Sequence, residues 1–362
     1  MRKGPGITVW NSKELPADWF KRQKIDEKAS EEVENNAKAI INRVKKDGDE
    51  ALVEFALKFD KAELTSRTLR VKPDEIKEAY TKTIPEQISA IKFMKEKVSV
   101  LQKQLLIQTN IKTANDGIFV QTVLRPIRSV GCYVPGGQAA YPSTLVMTAV
   151  PAKIAGVPRI VVCSPSDARG KVNPLVLVAA DICGVDEVYR VGGAQAIAAL
   201  AYGTKTVAPV QKIVGPGSKY VTAAKVLVSS NVAIDMPAGP SEVLVVADDS
   251  ADARLIAYDM VSQAEHGGDS IVGLITTSEK VALQVEESIA KVAASAQRGE
   301  KISESLVKYG FIIVCTGIEE MVNLANQFAP EHLEVLTVKP KEIADQITAG
   351  LILLGPYSPV AL

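Results

Sequence analysis

The chain has 362 residues, which at about 150 residues per domain suggests two or three domains. Its 42 basic side chains balance 42 acidic ones, so neither nucleic acid nor a membrane surface is the expected partner, since both need a basic excess. With 47% hydrophobic, 23% charged and only 5% aromatic residues, it is not disordered; the aliphatic bias suits buried parallel strands covered by helices. The opening Met1-Arg2-Lys3-Gly4-Pro5-Gly6 lacks the apolar stretch of a secretory signal. Up to about residue 115 the chain reads as helical and charged. Ser30 is placed to cap a helix whose Val33, Ala37, Ile40, Ile41 and Val44 share one face. Asp47-Gly48-Asp49 interrupts it, and Leu52, Phe55, Ala56 and Phe59 resume the pattern. Another helix follows Pro85, with Ile88, Ile91, Met94, Val98, Leu101 and Leu105 at helical spacing.

From about Ile118 onward charges thin out. Residues 129–152 carry none, yet Pro135, Gly136, Gly137, Pro142 and Pro151 interrupt the run too often for a membrane span. Strands are expected at Ile160–Val162, Glu187–Val191, Lys212–Val214, Val243–Val246, Ile271–Ile275, Phe311–Val314, Val335–Val338 and Leu351–Leu354. Helices fall between most of them. One is opened by Asn173 and Pro174 and closed by Gly184; others cross Ala196–Leu200 and Val221–Val228. This alternation predicts parallel sheets and an α/β protein, with a domain junction at the Pro- and Gly-rich turn 235–240.

Three glycine-rich turns adjoin strands: Pro135-Gly136-Gly137, Gly192-Gly193 and Gly215-Pro216-Gly217. Glycine lets backbone amides approach a ligand, and a following helix N-terminus favours a phosphate. Asp235 lies 20 residues after Gly215, as in a dinucleotide fingerprint, but Tyr220 replaces the third glycine. Together the three turns point to a nucleotide site; singly each is packing geometry.

Histidine occurs only twice, at His266 and His332. Gln263 and His266 share a helical face, so either they hold a metal or His266 is a solvated helix-end residue. Glu331 and His332 stand together at a strand entrance, either as a pair for proton transfer or as two exposed loop residues. Cys132 and Cys163 are weighed as thiol nucleophiles, but buried structural thiols are the better reading. With Cys183 and Cys315 they show no CxxC spacing, as expected of reduced cysteines in a cytoplasmic protein.

Five segments, taken together and in order, resemble the histidinol dehydrogenase family. They are Val130-Gly131-Cys132-Tyr133-Val134-Pro135-Gly136-Gly137, Val191-Gly192-Gly193-Ala194-Gln195-Ala196-Ile197, Asp235-Met236-Pro237-Ala238-Gly239-Pro240-Ser241-Glu242, Ser262-Gln263-Ala264-Glu265-His266-Gly267-Gly268 and Pro330-Glu331-His332-Leu333. The resemblance implies a zinc-dependent homodimer that oxidises L-histidinol to L-histidinal and then L-histidine, using NAD twice. It implies two Rossmann-like units beside a helical N-terminal region. The expected division is 1–128, helical and packing with 241–362; 129–240, NAD-binding; and 241–362, catalytic and zinc-binding. By the same resemblance Tyr133, Gln195 and Ser218 contact NAD, while Ser241, Gln263, His266 and His332 contact substrate. Gln263 and His266 are also zinc ligands, and Glu331 and His332 are the catalytic pair.

Two departures stand out. Ser218 occupies a family asparagine position, and the sequence ends on Pro359-Val360-Ala361-Leu362, where the family continues with Gly-Asp, the third zinc ligand. A truncated chain is therefore expected, with weak zinc binding and little turnover of histidinol as written. Two other readings are a relative oxidising another polar alcohol, such as a sulfonated diol, and a short non-catalytic paralogue acting as a binding partner.

Overall fold

The computed structural model describes residues 2–3, 6–16, 19, 27–109, 111–136, 140–237, 241–265, 270–296 and 298–360. Two parallel sheets organise them. In one, Val130–Tyr133, Ile160–Cys163, Glu187–Tyr189, Lys212–Val214 and Ala233–Ile234 lie in the spatial order third, second, first, fourth, fifth. In the other, Glu242–Ala247, Ile271–Thr276, Gly310–Val314, His332–Leu336 and Leu351–Leu354 repeat that order. Thr8–Asn11 extends this second sheet in parallel beside Gly310–Val314, and Arg2–Lys3 pairs antiparallel at its edge. Each sheet has a switch point between its first and fourth strands, where doubly wound folds open a crevice. The α/β reading with two Rossmann-like sheets is thus the observed architecture. The central strands Val130–Tyr133, Ile160–Cys163 and Glu242–Ala247 are short, largely aliphatic and fully buried, as strands covered on both faces require.

The chain divides into two units, Lys24–Pro237 and Met1–Gln23 with Ala238–Leu362. This corrects the expectation that residues 1–128 pack with 241–362. Ala37, Ile41 and Val44 of helix Glu27–Asp47 are buried in one core with Ile197, Leu200 and Val221, from helices Gly193–Tyr202 and Lys219–Val228. Ile91 of helix Pro85–Gln108 joins Leu145, Val146 and Val176 on the other face of the same sheet. An amphipathic helix goes where an apolar sheet face needs covering, and among the described N-terminal residues Arg2–Lys3 and Thr8–Asn11 join the second sheet.

An ion pair reinforces that attachment. Arg190, just after strand Glu187–Tyr189, donates to Glu75 of helix Pro73–Thr81 at 2.5 Å, and Lys171 donates to its other oxygen at 2.9 Å. Burial alone would raise the Glu75 carboxyl, but these hydrogen bonds outweigh it and hold the group down at about 2. The stabilisation is therefore present above the ordinary value of 4.5 and is lost as pH falls towards 2. Glu75→Gln leaves the Arg190 charge 6% exposed without its counterion. The expected cost at pH 7 is about 3 kcal/mol in urea unfolding; a loss below about 1 kcal/mol would contradict the assignment.

Several elements differ from expectation. Helix Glu27–Asp47 starts three residues before Ser30, which is therefore not its cap. The Gly48 break is present, at φ 56°. The strand expected at Val335–Val338 runs instead over His332–Leu336, because neighbours on both sides pair with it from His332 onward. Asp248 then accepts from the Val338 N–H at 2.9 Å, just past its end. Hairpin Lys112–Asn115/Ile118–Gln121 was not anticipated. Among the described residues no helix is long and apolar enough to cross a membrane.

Candidate active site

In the Lys24–Pro237 unit, Gln195 and Ser218 line one cavity of about 590 Å³ together with Phe55, Phe59, Asp60, Gly193 and Tyr220. Gln195 sits in the first turn of helix Gly193–Tyr202, and its amide oxygen folds back over Gly193, whose φ of 64° lies in the left-handed region that favours glycine. Ser218 is the N-cap of helix Lys219–Val228, but its side chain makes no capping bond, so its hydroxyl faces no competition from the helix end. Tyr133 is not part of the lining. It is buried, its hydroxyl accepts from the Gly193 N–H at 3.0 Å, and burial pushes its phenol up to about 12. Tyr133 thus fixes the loop that forms the cavity wall.

The glycine-rich turns have local structural work as well. Gly215 adopts φ 115°, where a Cβ would collide with the Tyr133 carbonyl oxygen. Its N–H donates to Asp235 at 2.7 Å, and Asp235 is also ion-paired with Lys225. The acid at fingerprint spacing is therefore committed to the turn itself. All four cysteines are buried. Burial pushes Cys132 up to about 12 and raises Cys163 as well, so neither supplies a thiolate at neutral pH.

In the other unit the candidate residues gather at the N-terminal edge of the sheet. His332 opens strand His332–Leu336 opposite Val243, and its Nδ1 lies 2.9 Å from the Glu242 carbonyl oxygen. A carbonyl only accepts, so Nδ1 carries the proton and Nε2 presents a lone pair. Glu331 Oε2 accepts from the Glu242 N–H at 3.3 Å and stands 3.6 Å from His332 Nδ1. One residue, Glu242, therefore holds both members of the pair through its backbone. The imidazole side chain is 25% exposed and the carboxylate 54%, so both are reachable. Ser241 precedes this strand entrance, and its carbonyl accepts from the Ile271 N–H at 3.1 Å.

Gln263 lies in the last turn of helix Ala253–Ala264, is 3% exposed, and its amide nitrogen has no hydrogen-bond partner among the described residues. His266 lies outside the described residues. No group of three or more His, Cys, Asp or Glu is placed to hold a metal among the described residues. The unpartnered Nε2 of Gln263 is a buried donor that suits a hydrogen-bond acceptor on a bound molecule; a metal would be held by the amide oxygen.

Two features escaped the sequence reading. Phe59 continues an apolar helical pattern on paper, but Ala56–Asp60 is a π-helix, and both Phe59 and Asp60 line the cavity. No residue type announces that turn. Glu334 alternates with His332 along one strand face, which a period of two could have revealed, and is buried. Burial and the neighbouring Asp259 carboxylate raise Glu334 to about 8, while the Val360 N–H donates to it at 2.9 Å.

A raised carboxyl binds its proton in the folded state after the unfolded chain has lost it. Stability should therefore fall as pH rises from the ordinary 4.5 to about 8. Glu334→Gln, neutral in both states, should flatten that slope in melting temperatures taken across the same pH range. A slope equal to that of the unaltered chain would contradict the assignment.

The family model described as histidinol dehydrogenase matches residues 22–362. The histidinol dehydrogenase of Methanothermobacter thermautotrophicus is 45% identical over 323 residues, covering 89% of this chain and 75% of the relative. That of Methanocaldococcus jannaschii is 43% identical over 358 residues, covering 98% and 82%. The crystal structure of histidinol dehydrogenase from Elizabethkingia anophelis superposes with a TM-score of 0.90 at 35% identity, covering 99% of this chain and 82% of that one.

Proposed function

The chain belongs to the histidinol dehydrogenase family, oxidoreductases of histidine biosynthesis, and we propose that it oxidises L-histidinol to L-histidine through L-histidinal, with NAD as acceptor in both steps and zinc assisting. The observation that carries this reading is the His332–Glu331 pair, both members anchored on the Glu242 backbone.

The pair divides the proton work. With Nδ1–H held by the Glu242 carbonyl, His332 Nε2 takes the carbinol proton as the carbon is oxidised. The positive charge that forms on the ring lies 3.6 Å from the Glu331 carboxylate, which stabilises it. In the second step Glu331 serves as the base that draws a proton from the water adding to the aldehyde. Ser241, at the same strand entrance, and Gln263 hold the substrate. Tyr133 fixes Gly193 so that Gln195 and Ser218 bind the dinucleotide. NAD bound in this cavity supplies the electron acceptor. Gln263 and His266 are the residues here that would hold zinc, which would supply a Lewis acid for binding and orienting the substrate.

The partner surface is a second copy of the chain. Leu101, Ile107, Ile118, Phe119, Val123 and Leu124 are all more than half exposed along the end of helix Pro85–Gln108, the hairpin and the segment after it. So long an apolar stretch is unusual on a monomer and fits a homodimer interface.

The test is NADH formation with L-histidinol compared with a sulfonated diol. Turnover of histidinol alone supports the proposal. Preference for the diol would replace the substrate, and turnover of neither would favour a non-catalytic binding role.

A further inference from the structure

The π-helix at Ala56–Asp60 is closed by Lys61 in the left-handed region at φ 58°, and such turns are frequent at functional sites. It places the Phe59 ring 5.6 Å from Phe55 in a near-parallel stack, 48% exposed, on the wall of the cavity that holds Gln195 and Ser218. It also brings Asp60 into that lining. The Ser166 backbone N–H donates to the Asp60 carboxylate, whose Oδ2 is buried with no hydrogen-bond partner among the described residues.

The other charges around the cavity are committed or exposed. Arg43 binds Asp47 and, at 2.8 Å, Glu54, so its guanidinium is neutralised twice. Lys58 lies against the Phe59 ring. Dinucleotide sites distinguish cofactors with an acid that accepts from the ribose 2′-hydroxyl or an arginine that receives a 2′-phosphate. Here the acid at fingerprint spacing, Asp235, is locked into the Gly215 turn, and the lining arginine is already paired.

We propose that Asp60 is the specificity-determining residue of this cavity, accepting from a free ribose 2′-hydroxyl and excluding a dinucleotide phosphorylated there. The proposal rests on the NAD reading above. A 2′-phosphate would bring a second anion against a carboxylate poor in water, where like charges repel strongly. Burial pushes the Asp60 carboxyl up to about 6, so it is ionised at the mildly alkaline pH of the test.

The test is calorimetric titration of the full chain at about pH 8 with NAD+, NADP+ and 2′-deoxy-NAD+. NADP+ is expected to bind at least about 100-fold more weakly than NAD+, and 2′-deoxy-NAD+ about 10-fold more weakly, the usual worth of a hydrogen bond to a charged group. In Asp60→Asn the NAD+/NADP+ preference should fall at least about 10-fold. Equal binding of NAD+ and 2′-deoxy-NAD+ by the unaltered chain overturns the proposal without requiring any variant to fold. So does an unchanged preference in a folded Asp60→Asn protein. Gln195→Ala tells the two failures apart. If it weakens both dinucleotides alike while Asp60→Asn leaves the preference intact, only the Asp60 role falls. If NAD+ does not bind, or binds equally well to Gln195→Ala, the cavity reading falls and the Asp60 role with it.

Discussion

His332→Asn is expected to lower kcat for histidinol oxidation by about three orders of magnitude, near the middle of the range for loss of a general base. Asparagine retains an N–H that can reach the Glu242 carbonyl, so the local hydrogen bond and strand pairing should survive. What disappears is the Nε2 lone pair. KM should therefore change little, and the melting temperature should stay close to that of the unaltered chain. Steady-state kinetics with a thermal melt checks the claim. A decrease in kcat smaller than about 10-fold would mean that another group takes the carbinol proton.

The second large effect is on assembly. Ile118→Lys combined with Phe119→Asp should convert a dimer into a monomer, weakening association by about 10²–10⁴-fold from the loss of two apolar anchors alone. Both side chains are more than half exposed and belong to a hairpin that contributes nothing to the buried cores of its own unit. The folded protomer should therefore tolerate the change. Sedimentation at micromolar concentration checks it. An unaltered chain that sediments as a monomer, or a double variant that stays dimeric, would place the interface elsewhere.

The alternation of aliphatic runs and helix signals carried most of the fold because parallel strands must be buried on both faces, and residue type reports burial well. The buried strands Ile160–Cys163, Ile271–Thr276 and Gly310–Val314 therefore fell within one residue of expectation. His332–Leu336 did not, since its start is set by ladder partners on both sides rather than by the polarity of Glu331 and His332. The destination of the N-terminal helices was also hidden. Their apolar stripes show that each must cover something, and only tertiary packing decides which sheet.

The candidate site divides similarly. Gln195, Ser218, Gln263, Glu331 and His332 were named from motif positions, and the structure brings Gln195 to one cavity with Ser218 and Glu331 to His332. The role of Glu242 as the backbone anchor of Glu331 and His332 was not legible, because it depends on a carbonyl and an N–H that every residue possesses. Asp60 was hidden for a related reason, as a π turn leaves no compositional trace.

The most direct test of the account is the yield of NADH per molecule of L-histidinol consumed to completion by the zinc-supplemented protein. Two NADH for each histidinol, with histidine as product, is the predicted result. One NADH with histidinal accumulating, or no NADH at all, would contradict it.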